Sequence, residues 1–239
     1  RQKVIQTLKE IVFNKEFNSY EVKHVQELVE KHYWIFGEQY NLITSAEPDF
    51  ELALKGMIKA EMGIEEEVHI EHPDKNKEMD LYMIRQDRQG RVTENVVVEL
   101  KRPKIKLGEK ELSQVKKYMR VIKNTPRFNA GNVKWTFYLV GNEFDKSLYI
   151  PGELESHKFL GEQHLVHCQD NGLTKIYVLK WSEIFDDYSK RHDFLMEHLK
   201  LEEKLWLETH ESADDAVTAV ENNSATLPEA IIPKNQKVV

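Results

Sequence analysis

A single cysteine, Cys168, is all that this 239-residue chain contains. That excludes an internal disulfide and any cysteine-based zinc cage within one chain. Apolar runs of the length of about eighteen residues that crosses a membrane are missing too, as is a basic-then-apolar leader. A soluble protein of a reducing cytoplasm, with no membrane partner, is the expectation. Walker sequences, Gly-rich dinucleotide loops and Ser-His-Asp ordering are absent, which sets aside the corresponding nucleotide-binding and triad-hydrolase classes. No internal repeat is evident. Because the chain opens with Arg1 rather than Met, it is expected to belong to a longer protein, with a regulatory region ahead of Arg1.

What is present is charge, unevenly spread. The formal net charge is -7, yet residues 208–229 hold six acids and no Lys or Arg, so the rest of the chain is close to neutral. Between Lys101 and Lys123, by contrast, nine bases face two acids. Such a local excess suits a phosphate backbone, and its bland alternative is a solvated helix face. An acidic tail drawn to a basic cleft would hold the protein idle, and deleting residues after about Thr209 would then raise activity.

Periodicity divides the chain into a helical start, a strand-rich centre and a helical end. Val4, Ile5, Leu8, Ile11 and Val12 follow a helical period, as do Val22, Val25, Leu28 and Val29, so residues 1–44 read as an N-terminal helical segment. An aromatic cluster, Tyr33 to Phe36, leads into Gly37-Glu38, and another helix starts after Ser45 or Pro48 and runs through Leu52, Leu54 and Ile58. Strands are expected at Val68–Ile70, Met79–Ile84 and Val92–Leu100, then a helix over Glu109–Lys123 with Leu112, Val115, Met119 and Ile122 on one stripe. Further strands fall at Val133–Val140, Leu148–Ile150, Leu165–Cys168 and Lys175–Lys180, the last two around Asp170-Asn171-Gly172. Trp135, Phe137, Tyr138 and Trp181 are expected in the core. A long helix from Ser182 to about Thr209 closes the domain (45–209), and 210–239 reads as a flexible acidic tail.

The segment from Met79 to Leu100 carries the chemistry. A tight two-residue turn at Gln89-Gly90 would set Asp80 directly opposite Glu99, with Cβ atoms about 4.5 to 5.5 Å apart. Lys101, two residues on, shares the face of Glu99. Carboxylates that close repel unless a cation lies between them, and oxygen ligands suit Mg²⁺, or Mn²⁺ in its place. A divalent ion with a nearby lysine is the equipment of a phosphodiesterase. Glu-Leu-Lys alone is a common tripeptide in a chain that is 31% charged. Here it follows Val96-Val97-Val98, at the end of a strand that reads as buried on both faces, where charge is costly without a purpose.

These residues resemble the Shedu-type branch of the PD-(D/E)xK nucleases, a family of bacterial anti-phage defence proteins. The likeness rests on EMDLYMI, VVVELKRP and LSQVKKYM, with WIFGEQY upstream, and covers about Tyr33 to Trp181. It implies a restriction-endonuclease-like α/β fold, with a four-stranded mixed sheet flanked by helices, Mg²⁺-dependent DNA cleavage and a homo-oligomer. By position it makes Asp80, Glu99, Lys101 and Gln114 catalytic and gives Asp80, Glu99 and Leu100 the metal. It adds Glu38 as an extra acid on an early helix. Tyr118, one turn after Gln114, is expected to face the same cleft. Arg102, Lys104, Lys106, Lys116, Lys117 and Arg120 are the expected contacts to nucleic acid. Asp74, in a literal Pro-Asp pair, misses the hairpin register.

Two further classes compete with the nuclease: a binding module of the same fold that has lost catalysis, and a helical scaffold. An intact Asp80, Glu99 and Lys101 weighs against the first, and charges at strand ends weigh against the second. His69 with His72, and His164 with His167 and Cys168, suggest metal at first sight. Residues three apart on a strand point to opposite faces, so the second group does not chelate one ion while it is a strand. His69 and His72 flank the expected cleft.

Overall fold

The computed structural model describes residues 1–14, 22–45, 49–63, 65, 67, 69–74, 79–87, 89–126, 128, 133–193 and 197. Residues 1–188 form one compact unit and 189–239 a second. The expected tail at 210–239, and the expected helix beyond 197, lie outside the described residues. No helix among the described residues is long and apolar enough to cross a membrane.

Helices α1 (Gln2–Phe13) and α2 (Val22–Lys31) come first, followed by a single 3₁₀ turn, Tyr33–Phe36. Strand β1 (Asn41–Ser45) and helix α3 (Phe50–Met62) follow. The α3 start is set by Asp49, whose carboxylate accepts from the Leu52 amide, and its end by Gly63 at φ 70°, the left-handed conformation that glycine adopts without a Cβ penalty. The centre of the chain then runs β2 (Leu81–Gln86), β3 (Val92–Leu100), β4 (Lys106–Leu107), α4 (Glu109–Asn124), β5 (Lys134–Gly141) and β6 (Glu143–Phe144). It finishes with α5 (Tyr149–His157), β7 (Leu165–Gln169), β8 (Thr174–Lys180) and a helix, α6, over 181–193.

Six strands form one mixed sheet in the order β1-β2-β3-β5-β8-β7. The pairs β3–β5 and β5–β8 are parallel, and the other three are antiparallel. This is a restriction-endonuclease-like α/β arrangement, with six strands where the sequence resemblance implies four. The sheet is wider than four strands because β1 and β7 extend its two edges.

Pleat alternation sorts the core into two layers. Leu81, Met83, Val96, Val98 and Leu100 pack with Ile5, Leu8 and Val12 of α1, Val25 and Val29 of α2, and Trp181, Ile184 and Phe185 of α6. Tyr82, Ile84 and Val97 turn the other way, onto Phe50, Leu54 and Ile58 of α3 and Leu112, Val115 and Tyr118 of α4. Helices α1 and α2 therefore supply, together with α6, one wall of the core. Trp135, Phe137 and Trp181 are buried as expected, while Tyr138 is only partly so.

Four local expectations are corrected. Asn41–Ser45 is a strand rather than the end of a helix, because it pairs along β2. His69 and Ile70 lie outside any strand, since the Ile70 amide donates to Glu51 Oε1 of α3 instead of to a ladder. Leu148 takes a left-handed φ of 60° that ends extended backbone, and Tyr149 and Ile150 begin α5. Pro151 then falls in that helix's first turn, where a missing N–H costs nothing. Finally, the β2–β3 connection is not a two-residue turn at Gln89-Gly90. Asp87 and Arg91 close it, the Asp87 amide donating to the Arg91 carbonyl at 2.9 Å, with Gly90 at φ 79°.

Candidate active site

That wider turn alone would place β2 one residue out of the expected register. A bulge corrects it, because Arg85 pairs with Glu94 while Gln86 pairs with Val92, so that Thr93 is the extra residue. From there the ladder runs to Leu81 opposite Val98. One step further, just before β2 begins, Asp80 comes level with Glu99. The carboxylate of Asp80 accepts from the Leu100 amide at 2.5 Å, and its carbonyl lies 3.5 Å from Nε2 of Gln26, a buried residue of α2.

Glu99, the next-to-last residue of β3, faces the α4 side of the sheet and is only 6% exposed. Its Oε1 accepts from Lys101 Nζ at 2.6 Å and from Gln114 Nε2 at 2.7 Å, and its Oε2 accepts from the Tyr118 hydroxyl at 2.8 Å. Gln114 Oε1 in turn accepts from Lys101 Nζ at 2.7 Å, and Gln114 Nε2 also donates to the Tyr118 oxygen at 2.7 Å. Both N–H donors and the oxygen of the Gln114 amide are thus engaged, which fixes its orientation. Gln114 and Tyr118 reach the same carboxylate because residues four apart on a helix stack on one face. Burial, reinforced by the Glu99 charge, pushes the Tyr118 hydroxyl far above its ordinary pKa, so it stays a neutral donor.

The structure therefore brings together Asp80, Glu99, Leu100, Lys101, Gln114 and Tyr118. It places other candidates elsewhere. Glu38 lies in a turn after the 3₁₀ segment, half-exposed, in an ion pair with Arg1. His69 is largely exposed and pairs with Glu51 at 3.2 Å, while His72 Nδ1 accepts from the Asp74 amide. His164 contacts Glu183, and His167 contacts Gln169. A cavity of about 530 Å³, lined by His157, Phe159, Glu162, Cys168 and Lys175 among others, contains none of the clustered residues. Gln26 was not foreseen, because a lone polar residue inside the Val22–Val29 stripe carries no sequence signal of its own.

Among the bases expected to meet nucleic acid, Lys106 pairs with Glu143 at 2.9 Å and Lys116 lies 3.9 Å from Glu153. Arg102, Lys104, Lys117 and Arg120 are exposed.

The donor set answers how a metal would fit. Among the described residues no three His, Cys, Asp or Glu side chains gather around one point. Two carboxylates and the Leu100 carbonyl remain, all oxygen, which suits a hard ion that keeps several waters, such as Mg²⁺. With both acids ionised, Asp80, Glu99 and Lys101 carry one net negative charge, so a cation is favoured there. Yet Lys101 already supplies a positive group to Glu99, so repulsion between the carboxylates is not by itself a demand for metal.

A mixed sheet with an acid-x-Lys at the end of a central strand, an acid entering the antiparallel neighbour, and helices on both faces defines a restriction-endonuclease-like protein. In agreement, residues 55–139 match the family model of the type I restriction enzyme R protein N terminus. That region includes every residue of the cluster and links it to restriction-nuclease-type proteins. No curated protein matches the chain.

Proposed function

We propose that the chain is a metal-dependent DNA endonuclease of the Shedu type, acting as the effector of a bacterial anti-phage defence system, with Asp80, Glu99 and Lys101 at its catalytic centre. The observation that carries this reading is the convergence of Lys101, Gln114 and Tyr118 on the buried carboxylate of Glu99. A lone buried ion pair has little stability value over apolar residues of like size. Such an outlay fits a functional site, as the match to restriction-enzyme sequences over the same residues also does.

Asp80, Glu99 and the Leu100 carbonyl would hold Mg²⁺ or Mn²⁺. When bound, that ion polarises the scissile phosphate as a Lewis acid. Lys101 has three N–H donors and spends two, on Glu99 and Gln114. Its third is left to hold the attacking water or a phosphate oxygen, and its charge offsets the negative charge that builds as the new P–O bond forms. Gln114 positions the ammonium and the carboxylate with respect to each other, and Tyr118 fixes the far oxygen of Glu99. A homo-oligomer and a cytoplasmic setting go with this reading.

Plasmid nicking and linear-end degradation with Mg²⁺, Mn²⁺ or EDTA test it, comparing the native chain with Asp80→Ala and Lys101→Ala. Cleavage that requires the ion and falls by at least about 100-fold in both variants, the order expected of a lost charge-stabilising group, is the predicted result. Cleavage that survives both substitutions abandons this site. DNA binding without cleavage favours the inactive binding module instead.

A further inference from the structure

The bases between Lys101 and Lys123 look like one cluster in the sequence, but the structure divides them. Lys106 ties β4 to β6 through Glu143, Lys116 faces Glu153 of α5, and Lys123 pairs with Asp170 in the turn before β8. These three cations are used within the fold. On α4, Lys110, Lys117 and Arg120 are exposed and form no ion pair with a described residue, and the same holds for Arg102 and Lys104 in the stretch ahead of the helix.

Helical geometry shows that this division follows position. At about 100° per residue, the buried arc of α4 runs through Leu112, Val115, Tyr118, Met119, Val121 and Ile122, with Val121 at its edge on the side of Gln114. Gln114 lies at one margin of that arc. Lys110 is four residues before it and Lys117 three after, so each is its neighbour on the solvent side, with Cβ atoms about 5–6 Å apart. Arg120, three residues beyond Lys117 and four beyond Lys116, lies on the solvent face about 120° from Gln114. Lys116 and Lys123 lie on the opposite margin, roughly 160–180° around the helix from Gln114. Of the paired cations on α4, Lys116 and Lys123 are thus on the margin away from Gln114, whereas Lys110 and Lys117, which have no ion pair among the described residues, border the side chain that touches Glu99.

We infer that the row Lys110, Lys117 and Arg120 is the surface that tracks the phosphate backbone of duplex DNA beside the Glu99 cluster, and that Lys106, Lys116 and Lys123 take no part in it. This inference rests on the nuclease reading for the identity of the partner. Its physical content is separate. Cations without internal partners release counterions from DNA on binding, whereas cations already paired must first give up a carboxylate.

The test is fluorescence anisotropy of a labelled 30-base-pair duplex with the full chain, in EDTA, across a salt series. Two triple variants remove the same charge: Lys110→Gln/Lys117→Gln/Arg120→Gln, and Lys106→Gln/Lys116→Gln/Lys123→Gln. Each neutralised phosphate contributes about 0.9 to the slope of log K against log salt, so the first set lowers the slope by about 2–3. The second set is expected to lower it by less than about 1. Should the second set fold poorly, Lys106→Gln alone, at a half-exposed pair, provides the comparison. Equal loss in both sets, no loss in the first, or no binding by the native chain at low salt overturns the inference. Cleavage that depends on Mg²⁺ and Asp80 beside equal slopes discards the row and keeps the nuclease. Row-dependent binding with no cleavage keeps the row and discards the nuclease.

Discussion

Tyr118 shows at the scale of one residue how the site is held. Its ring fills the layer between α3 and α4, 0% exposed, in an edge contact with Phe50, while its hydroxyl reaches the carboxylate. Removing only the oxygen, as in Tyr118→Phe, leaves the packing and takes one hydrogen bond from Glu99. The expected cost is about 1.5–3 kcal/mol, typical of hydrogen bonds to a charged group. The pH dependence has a definite sign. An unfolded tyrosine ionises near 10, but burial and the Glu99 charge keep Tyr118 protonated well above that in the folded state. Below pH 10 both states bind the proton and nothing is lost. Above it the unfolded state loses its proton first, so stability falls as pH rises, by up to about 1.4 kcal/mol per unit for this group. Tyr138 and Tyr177 are shifted in the same direction. Urea titrations between pH 8 and 11 should therefore show a shallower alkaline decline in Tyr118→Phe than in the native chain. Parallel declines would mean that the hydroxyl is not held neutral by this environment.

At the scale of the element, the site depends on where α4 begins. Gly108 precedes it, its amide capped by Glu111 Oε2, and a Cβ added there would collide with the Asp145 carboxylate. Gly108→Ala must shift either Asp145 or the first turn of α4, and overpacking of this kind costs about 1–3 kcal/mol. Because Gln114 and Tyr118 ride on that helix, the variant is expected to lose cleavage as well as stability, although Gly108 touches no part of the cluster. Combining it with Asp145→Ala should restore both, and a double variant as impaired as the single one would show that the collision is not the cause. The same elements show what could be read in advance. β3 and α4 were legible because Val96-Val97-Val98 and the Leu112–Ile122 stripe state their periods plainly. The level pairing of Asp80 with Glu99 was also reached, but through a turn that does not exist. The longer Asp87–Arg91 connection and the bulge at Thr93 displace the register in opposite senses, and neither leaves a mark that sequence alternation can report. Leu148–Ile150 misled for a related reason, since its helix is set by a left-handed Leu148 rather than by propensity.

At the scale of the molecule, the question is whether the first 44 residues are an appendage or part of the body that carries the site. Leu8 of α1 is 0% exposed and belongs to the same layer as Val96, Val98 and Leu100 of β3. Those side chains alternate with Val97 and Glu99, so the strand that presents the Glu99 carboxylate is held from behind by α1 and α2. Leu8→Ala leaves a cavity in that layer and should cost about 2–5 kcal/mol, a large part of the total stability of a typical domain. If α1 opens independently, only its own amides gain exchange in native-state hydrogen exchange, and β3 keeps its protection. The shared layer predicts the other outcome. The amides of β3 and β5 should lose protection by the same free energy as those of α1, because removing either layer exposes the apolar face of the sheet. Protection of β3 that is unchanged in Leu8→Ala would separate the helical start from the body that carries the Glu99 cluster. A loss common to both makes residues 1–44 a structural requirement for holding Glu99 against α4.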